Sequence, residues 1–299
     1  MQSPLEEIAA APSGQSLRVL VWELDLVDMW SLDPAGARVP FRGKGSHWHV
    51  HPEFELTAIT RGEGVLYAGD HIGRFRAPDC ILLAGRLPHV WKADTKLSGV
   101  AVQFGGGLDG GLMALPELAS AGKLWRRAGH ALRWQGRTRD ALCAGLAGLA
   151  GAGALARLAR FLSLVATMRE AGAGQARALS AQALAEEGEA RAGAGMRRVL
   201  DHLIENFREE ITLNELVRMS GRSQATFCRH FAALTGRTAT AYLNAIRIEE
   251  VRRQLAETRD SVTAIAFAAG FNNLAHFHAR FRRACGCTPL AFRRRHALR

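Results

Sequence analysis

Five residues recur at identical intervals, fifty positions apart, near the end of this 299-residue chain. Phe227, Phe231, Gly236, Thr238 and Tyr242 are matched without a gap by Phe277, Phe281, Gly286, Thr288 and Phe292. Upstream, Leu216 and Gly221 correspond to Ile265 and Gly270, one residue out of step. A repeat of this period means one supersecondary unit built twice. Each copy predicts a helix, a glycine turn and a second helix. Thr212 stands ready to cap the first helix, with Glu215 three residues on to complete a capping box. Gly221 supplies the turn and Ser223 the next cap. Phe227 and Phe231, four apart, share one helical face and anchor it in a core. Gln224, Ala225, Cys228 and Arg229 are left on the other face. Two helices joined by a short glycine turn is the layout in which the second helix enters a major groove. A helical bundle with no part in DNA binding is the plainer alternative.

Charge separates these readings. From Met196 to Arg299 there are 18 Arg, no Lys and 9 acids, so this segment carries +9 of the chain's formal +11. A basic tail beside a near-neutral remainder predicts a polyanionic partner.

The stretch Ile265-Ala266-x3-Gly270-Phe271-x5-Phe277-x3-Phe281-x4-Gly286-x-Thr288-Pro289-x2-Phe292-Arg293 resembles the signature of AraC/XylS-type transcription regulators. The resemblance covers roughly 196–299, including the helix between the two units at about Tyr242–Leu255. It implies that one polypeptide places two recognition helices in successive major grooves of double-stranded DNA. It also implies RNA polymerase as a partner, a small-molecule effector and a homodimer, and leaves open whether the chain is an activator or a repressor. The family commonly has Arg two residues before the second aromatic of the second recognition helix. Here Ala279 holds that place with Arg280 beside it, whereas the first copy keeps Arg229. By alignment, Ala275, His276 and His278 face the groove.

Ahead of this domain, residues from Leu17 to Phe104 predict short strands. The apolar runs Leu17–Trp22, Phe54–Ile59, Val65–Tyr67 and Ile81–Leu83 are divided by turns such as Arg61-Gly62-Glu63-Gly64 and Ala68-Gly69-Asp70. Strands at this spacing predict a barrel or sandwich. Within them, Gly43-x5-His49-x-His51-x3-Glu55-x6-Gly62 resembles the first motif of cupins, and His89 stands where the second motif has its histidine. The second motif is otherwise degraded, with Ala84, Arg86 and Ala93 at its usual Pro, Gly and Asn positions. The resemblance implies that His49, His51, Glu55 and His89 form a ligand set for a divalent transition metal. Residues two apart on a strand point the same way, so His49 and His51 face inward together. Three imidazoles and a carboxylate suit Zn, Fe, Ni or Mn. Inward histidines that simply hydrogen-bond a ligand or a neighbour are the other reading, and His47 lies close enough to confuse the assignment. Trp48, Phe54, Tyr67, Phe75 and Trp91 are candidates to line a pocket or to pack the barrel.

After Gly105-Gly106-Gly107 the texture becomes helical over 112–133 and 138–170, with Leu155, Leu158, Phe161, Leu162 and Val165 in helical register. This pair is a candidate dimerisation face or an ordinary packing layer. Residues 171–195 are rich in Ala, Gly and Glu and predict a linker. The expected fold is thus α+β: a cupin-like β-barrel sensor at 1–110, a helical connector at 111–195, and an all-α tandem helix-turn-helix domain at 196–299. The five cysteines are odd in number and scattered, which predicts no disulfide framework. The N-terminus lacks the apolar core of a signal peptide, and no apolar run reaches the ~18 residues of a membrane span. A soluble cytoplasmic protein follows, and the AraC/XylS resemblance implies that it is bacterial, nucleoid-associated and not an enzyme. The rival reading is a metal-dependent oxygenase or isomerase with the helical tail as an accessory.

Overall fold

The computed structural model describes residues 15–26, 28–41, 47–105, 112–172, 174–181 and 194–296. The N-terminal signal-peptide reading, Gly43 of the first cupin motif, Gly106-Gly107, and most of the linker (182–193) lie outside the described residues. The chain divides into two compact units, Met1–Ala190 and Arg191–Arg299.

In the first unit the strands are β1 (Leu17–Trp22), β2 (Met29–Leu32), β3 (Arg38–Phe41), β4 (Phe54–Arg61), β5 (Glu63–Ala68), β6 (His71–Arg76), β7 (Asp79–Leu83), β8 (His89–Ala93) and β9 (Ser98–Phe104). Two three-residue strands, β10 (Leu132–Trp134) and β11 (Ala176–Ala178), follow later in the chain. They form an eight-stranded sheet in the order β11-β10-β7-β4-β9-β1-β2-β3 and a three-stranded sheet in the order β6-β5-β8. All pairings are antiparallel. The expected barrel is therefore two facing sheets rather than a cylinder closed by a continuous ladder. An isolated bridge joins His49 to β8: the His49 N–H donates to the His89 carbonyl at 3.2 Å and the His89 N–H to that of His49 at 3.1 Å.

Side-chain alternation explains why the large sheet has two buried faces. Leu17, Val19, Val21, Leu56, Ala58, Leu82, Val102 and Phe104 point to one side. There they meet α1 (Pro116–Ala119), α2 (Gly122–Ala128), α3 (Gly136–Ala147) and α4 (Ala154–Glu170) through Leu118, Leu124, Leu142, Leu146, Phe161 and Val165. Leu20, Trp22, Ile59, Ile81, Leu83 and Ala101 point to the other side, against Leu66, Phe75 and Trp91 of the small sheet. Burial on both faces is why β1, apart from Arg18, and β7, after Asp79, read as apolar runs.

The connector expected at 111–195 is thus no separate layer, because its helices cover the sheet within the first unit. The helical reading of 112–133 breaks into a 3₁₀ turn at Leu112–Ala114, two short helices and β10. A backbone reversal at Ala131, with φ of 49°, ends the helical course. The predicted linker begins later than expected, since β11 pairs with β10. On α4 the buried stripe is Phe161, Leu164, Val165 and Met168, whereas Leu155 is 81% and Leu162 38% exposed. Arg157 is buried instead, and its Nε donates to the Leu149 carbonyl at 3.3 Å.

The second unit is all-helical: α5 (Ala194–Glu205), α6 (Leu213–Ser220), α7 (Gln224–Thr235), α8 (Ala239–Glu257), α9 (Val262–Ala268), α10 (Leu274–Cys285) and α11 (Pro289–His296). The repeat is duplicated in three dimensions. The rings of Phe227 and Phe231 lie 5.6 Å apart, and Phe231 meets Tyr242 at 5.7 Å and 82°. Phe277 and Phe281 lie 5.8 Å apart, and Phe281 meets Phe292 at 5.7 Å and 86°. Gly236 and Gly286 end their helices at φ,ψ of 67°,6° and 68°,5°, left-handed geometry that favours glycine. Thr238 and Thr288 each cap the next helix, accepting from Ala241 and Ala291 at 3.2 Å. The predicted capping box is half formed. Thr212 Oγ1 accepts from the Glu215 N–H at 3.2 Å, but the Glu215 carboxylate stands 3.3 Å from His202 Nε2.

Candidate functional site

Two sites emerge, one in each unit. In the second unit, Phe227 and Phe231 fix the inner side of α7, and Phe277 and Phe281 fix that of α10, all four fully buried. Successive residues turn by about 100°, so Arg229, midway between its two phenylalanines, points directly away from the core. Gln224, Ala225, Cys228 and Arg229 are all exposed. On α10, Ala275, His276 and His278 are exposed and Arg280 is half-buried, its Nε donating to His276 Nε2 at 2.8 Å. Ala279 occupies the outward position that Arg229 holds on α7. Sequence reasoning passed over Arg283, which is exposed one turn after Ala279 on the same outward face. The i, i+4 spacing from Ala279 was the signal available for it.

In the first unit, His49, His51 and His89 are buried and offer ring nitrogens that lie within 4.8 Å of one another. The ring centroids of His49 and His89 are 4.2 Å apart and those of His51 and His89 5.1 Å. Each Nδ1 faces a backbone carbonyl. His49 reaches that of His47 at 2.8 Å, His51 that of Glu53 at 3.0 Å, and His89 that of Leu87 at 2.8 Å. A carbonyl only accepts, so each Nδ1 carries a proton and the lone pair of the neutral ring sits on Nε2. His89 Nε2 is buried with no hydrogen-bond partner. The neutral rings of His49 and His89 would each offer an Nε2 lone pair, and His51, whose Nε2 proton points at Glu55, would offer a third on losing that proton, a donor set that fits a transition metal.

Glu55 stands beside the histidines, its Oε2 3.2 Å from His51 Nε2. The same carboxylate accepts from Thr57 at 2.6 Å and from Gln103 at 3.0 Å. Gln103 in turn accepts from buried Arg18 at 2.8 Å. Burial pulls the His51 imidazole down, but hydrogen bonds and charge from Glu53 and Glu55 outweigh it and raise its pKa to about 9. Burial favours neutral Glu55, yet the hydrogen bond of His51 and the nearby imidazoles hold its carboxyl well below the usual range. Burial, aided by His49, pushes His89 well below the ordinary histidine value.

A small cavity of about 20 Å³, room for little more than a water molecule, lies beside this cluster. Its apolar wall is Leu20, Trp22, Leu26, Met29, Phe41, Trp91 and Ala101, and its polar floor is His49, Glu55, Thr57 and Gln103. Of the aromatic candidates only Trp91 lines it. Trp48, Tyr67 and Phe75 are buried packing, and Phe54 turns to the helical side, 5.5 Å from both Phe104 and Trp125. Sequence reasoning missed Arg18 and Gln103, which pair across β1 and β9. Their one signal was a polar residue inside an otherwise apolar strand.

Residues 216–295 match a family described as a helix-turn-helix domain. Over 99 residues the chain is 35% identical to the HTH-type transcriptional activator RhaS of Pectobacterium carotovorum subsp. carotovorum (strain PC1), covering 33% of this chain and 36% of that protein. It is 36% identical over 88 residues to the transcriptional activator NphR of Rhodococcus sp, covering 29% and 26%. Among solved structures it is similar to the DNA-binding domain of AdpA in complex with a target DNA. That likeness has 28% identity and a TM-score of 0.32, over 33% of this chain and 88% of that one. The chain spans about a third of the length of the RhaS relatives it matches.

Proposed function

Because residues 216–295 match a helix-turn-helix domain, we propose that the chain is a transcription regulator of the AraC/XylS type that grips duplex DNA through α7 and α10. The observation that carries this is the duplicated packing, which holds two helices by matched phenylalanine pairs and leaves their opposite faces exposed. The +9 charge of the tail supports it. The full chain should bind duplex DNA with marked salt dependence, because arginine–phosphate contacts release counterions. Footprinting should show two protected patches about one helical turn, ~34 Å, apart. Salt-insensitive binding, or no protection on any genomic fragment, overturns this reading.

The first unit is then a cupin-like sensor. His49, His51 and His89, with Glu55 beside them, would hold a divalent transition ion (Zn, Fe, Ni or Mn), and the walls of the water-sized space beside them would have to part to admit a small-molecule effector. The bound ion would supply a Lewis-acidic point at the cavity floor for one polar atom of that effector. Nδ1-to-carbonyl bonds orient the rings, while Gln103 and Thr57 hold the carboxylate. Activation of transcription, contact with RNA polymerase, homodimerisation and a place in the cytoplasm on the nucleoid belong to the same proposal. No described helix is long and apolar enough to cross a membrane. The histidine cluster is also what a metal-dependent oxygenase or isomerase would need, and turnover of a small substrate by the metal-loaded protein would favour that alternative.

A further inference from the structure

A groove of about 330 Å³ lies between α8 and α10, lined by Arg237, Asn244, Arg280, Arg283 and small apolar residues. No carboxylate is among its lining residues. The acids of α8 are engaged elsewhere: Glu249 with Arg252 at 2.5 Å, Glu250 with Arg253 at 2.8 Å and Arg208 at 2.9 Å, and Glu257 with Arg253 at 2.8 Å. Three arginines therefore line a space that the neighbouring carboxylates do not, one of them, Arg280, bonded through its Nε to His276. Its floor includes the alanines at 241, 245 and 284, short side chains that let another backbone come close.

The groove adjoins the outward face of α10. Arg283 follows Ala279 by four residues and His276 by seven, so all three share that face, while Arg280, bonded to His276, lines the groove beside it. The internal repeat adds an independent observation. Positions 229 and 233 of the first copy correspond to 279 and 283 of the second. The first copy has Arg229 followed by Ala233, and the second has Ala279 followed by Arg283. Arginine has moved one helical turn, from the centre of the outward face to the rim of the groove.

Resting on the reading of the chain as a DNA binder, we propose that this groove is a seat for the sugar–phosphate backbone. Arg237, Arg280 and Arg283 would hold phosphates beside the second helix. The two helix-turn-helix units then divide the work, with the first discriminating bases through Arg229 and the second supplying grip.

The test is the salt dependence of binding by the full chain to one mixed-sequence duplex and to a footprinted genomic site. Each phosphate contact contributes about 0.9 to the log–log slope, so a fourfold rise in salt weakens binding about 3.5-fold per contact. The double variant R237A/R283A should lose two such contacts and respond about 12-fold less to that salt step. Affinity for both duplexes should fall together, without a change in their ranking. Arg237→Lys with Arg283→Lys should restore the slope, separating lost charge from damaged folding. An unchanged slope in the alanine variant overturns the seat while leaving DNA binding intact. A selective loss at the footprinted site makes Arg283 a base reader and also overturns it. If the alanine variant binds DNA normally but fails to activate transcription, the groove belongs to an acidic protein partner and the proposal falls. Failure of the unaltered chain to bind any duplex would instead remove the underlying reading.

Discussion

Gly270 tests how the second helix-turn-helix unit is held. It adopts φ of 89°, and a Cβ added there would stand 2.8 Å from the Phe207 carbonyl oxygen and 2.7 Å from that of Arg208. The same loop is pinned by Arg247, whose Nε donates to the Phe207 carbonyl and whose Nη2 donates to that of Glu209, both at 2.7 Å. Gly270→Ala therefore meets a knot that cannot easily yield. Forcing a positive φ on alanine costs roughly 1–2 kcal/mol, and overpacking adds roughly 1–3 kcal/mol. A total near 3 kcal/mol should lower the melting temperature of a unit this size by roughly 10–20 °C. Gly286→Ala is the control, because its φ is also positive at 68° but nothing lies within 4 Å of the added Cβ. It should show the conformational cost alone. The chain provides its own separate probes: its 6 tryptophans (Trp22, Trp30, Trp48, Trp91, Trp125 and Trp134) all lie in the first unit. Tryptophan fluorescence follows that unit, and far-ultraviolet circular dichroism includes the helices of the second. In urea, Gly270→Ala should bring forward the helical transition and leave the fluorescence transition in place. Equal effects of the two alanine variants, or a matching shift in fluorescence, would refute the reasoning.

Other consequences can be measured as directly. Arg229→Ala should cost roughly 1–3 kcal/mol at a specific site and little on unrelated duplex, and competition binding would expose a uniform loss if Arg229 touches only phosphate. Burial raises the Glu250 carboxyl, but hydrogen bonds from Arg253, Gln254 and Arg208 outweigh it and hold its pKa at about 2. A depressed carboxylate stabilises the fold above its unfolded pKa of ~4.3, and this contribution fades as pH falls toward the folded value. Glu250→Gln should therefore flatten the loss of helical stability between those two points, and an acid titration as steep as the parent's would count against it. Protein purified without chelator or affinity tag should carry close to one transition-metal ion per chain. His51→Ala or Glu55→Ala should remove the ion and leave DNA binding in place, with elemental analysis and gel shift as the readouts.

What the chain reveals before folding depends on how local the cause is. Apolar runs placed β1, β4, β5 and β7 correctly because strands buried in the core stay mostly apolar, with Arg18, Glu55 and Thr57 as exceptions. The repeat located the helical cores because matched aromatic spacing survives in any one copy. β10 and β11 were illegible, since three residues carry no period and their pairing with β7 depends on chain far away in sequence. On α4 two apolar stripes compete, and periodicity alone cannot say that Phe161 and Val165 face the sheet while Leu155 and Leu162 face water. The cupin resemblance pointed to His49, His51, Glu55 and His89, of which the three histidines bring their ring nitrogens together and Glu55 stands against His51. The support of Glu55 by Gln103, and of Gln103 by Arg18, required strand register between residues 85 positions apart.

The large sheet ends on one side in β3, Arg38–Phe41, whose first three residues are exposed. An open strand edge offers unpaired backbone groups to any passing strand. Here that edge has Pro40, which has no N–H to give, and Arg38, whose guanidinium sits 2.6 Å from Glu23. The opposite edge, β11, is only three residues long. Neither margin is a template on which a second chain can extend the sheet. Ladder-type growth along the large sheet is thereby discouraged, and two copies that met at either of these margins would be held by side chains rather than by a shared ladder.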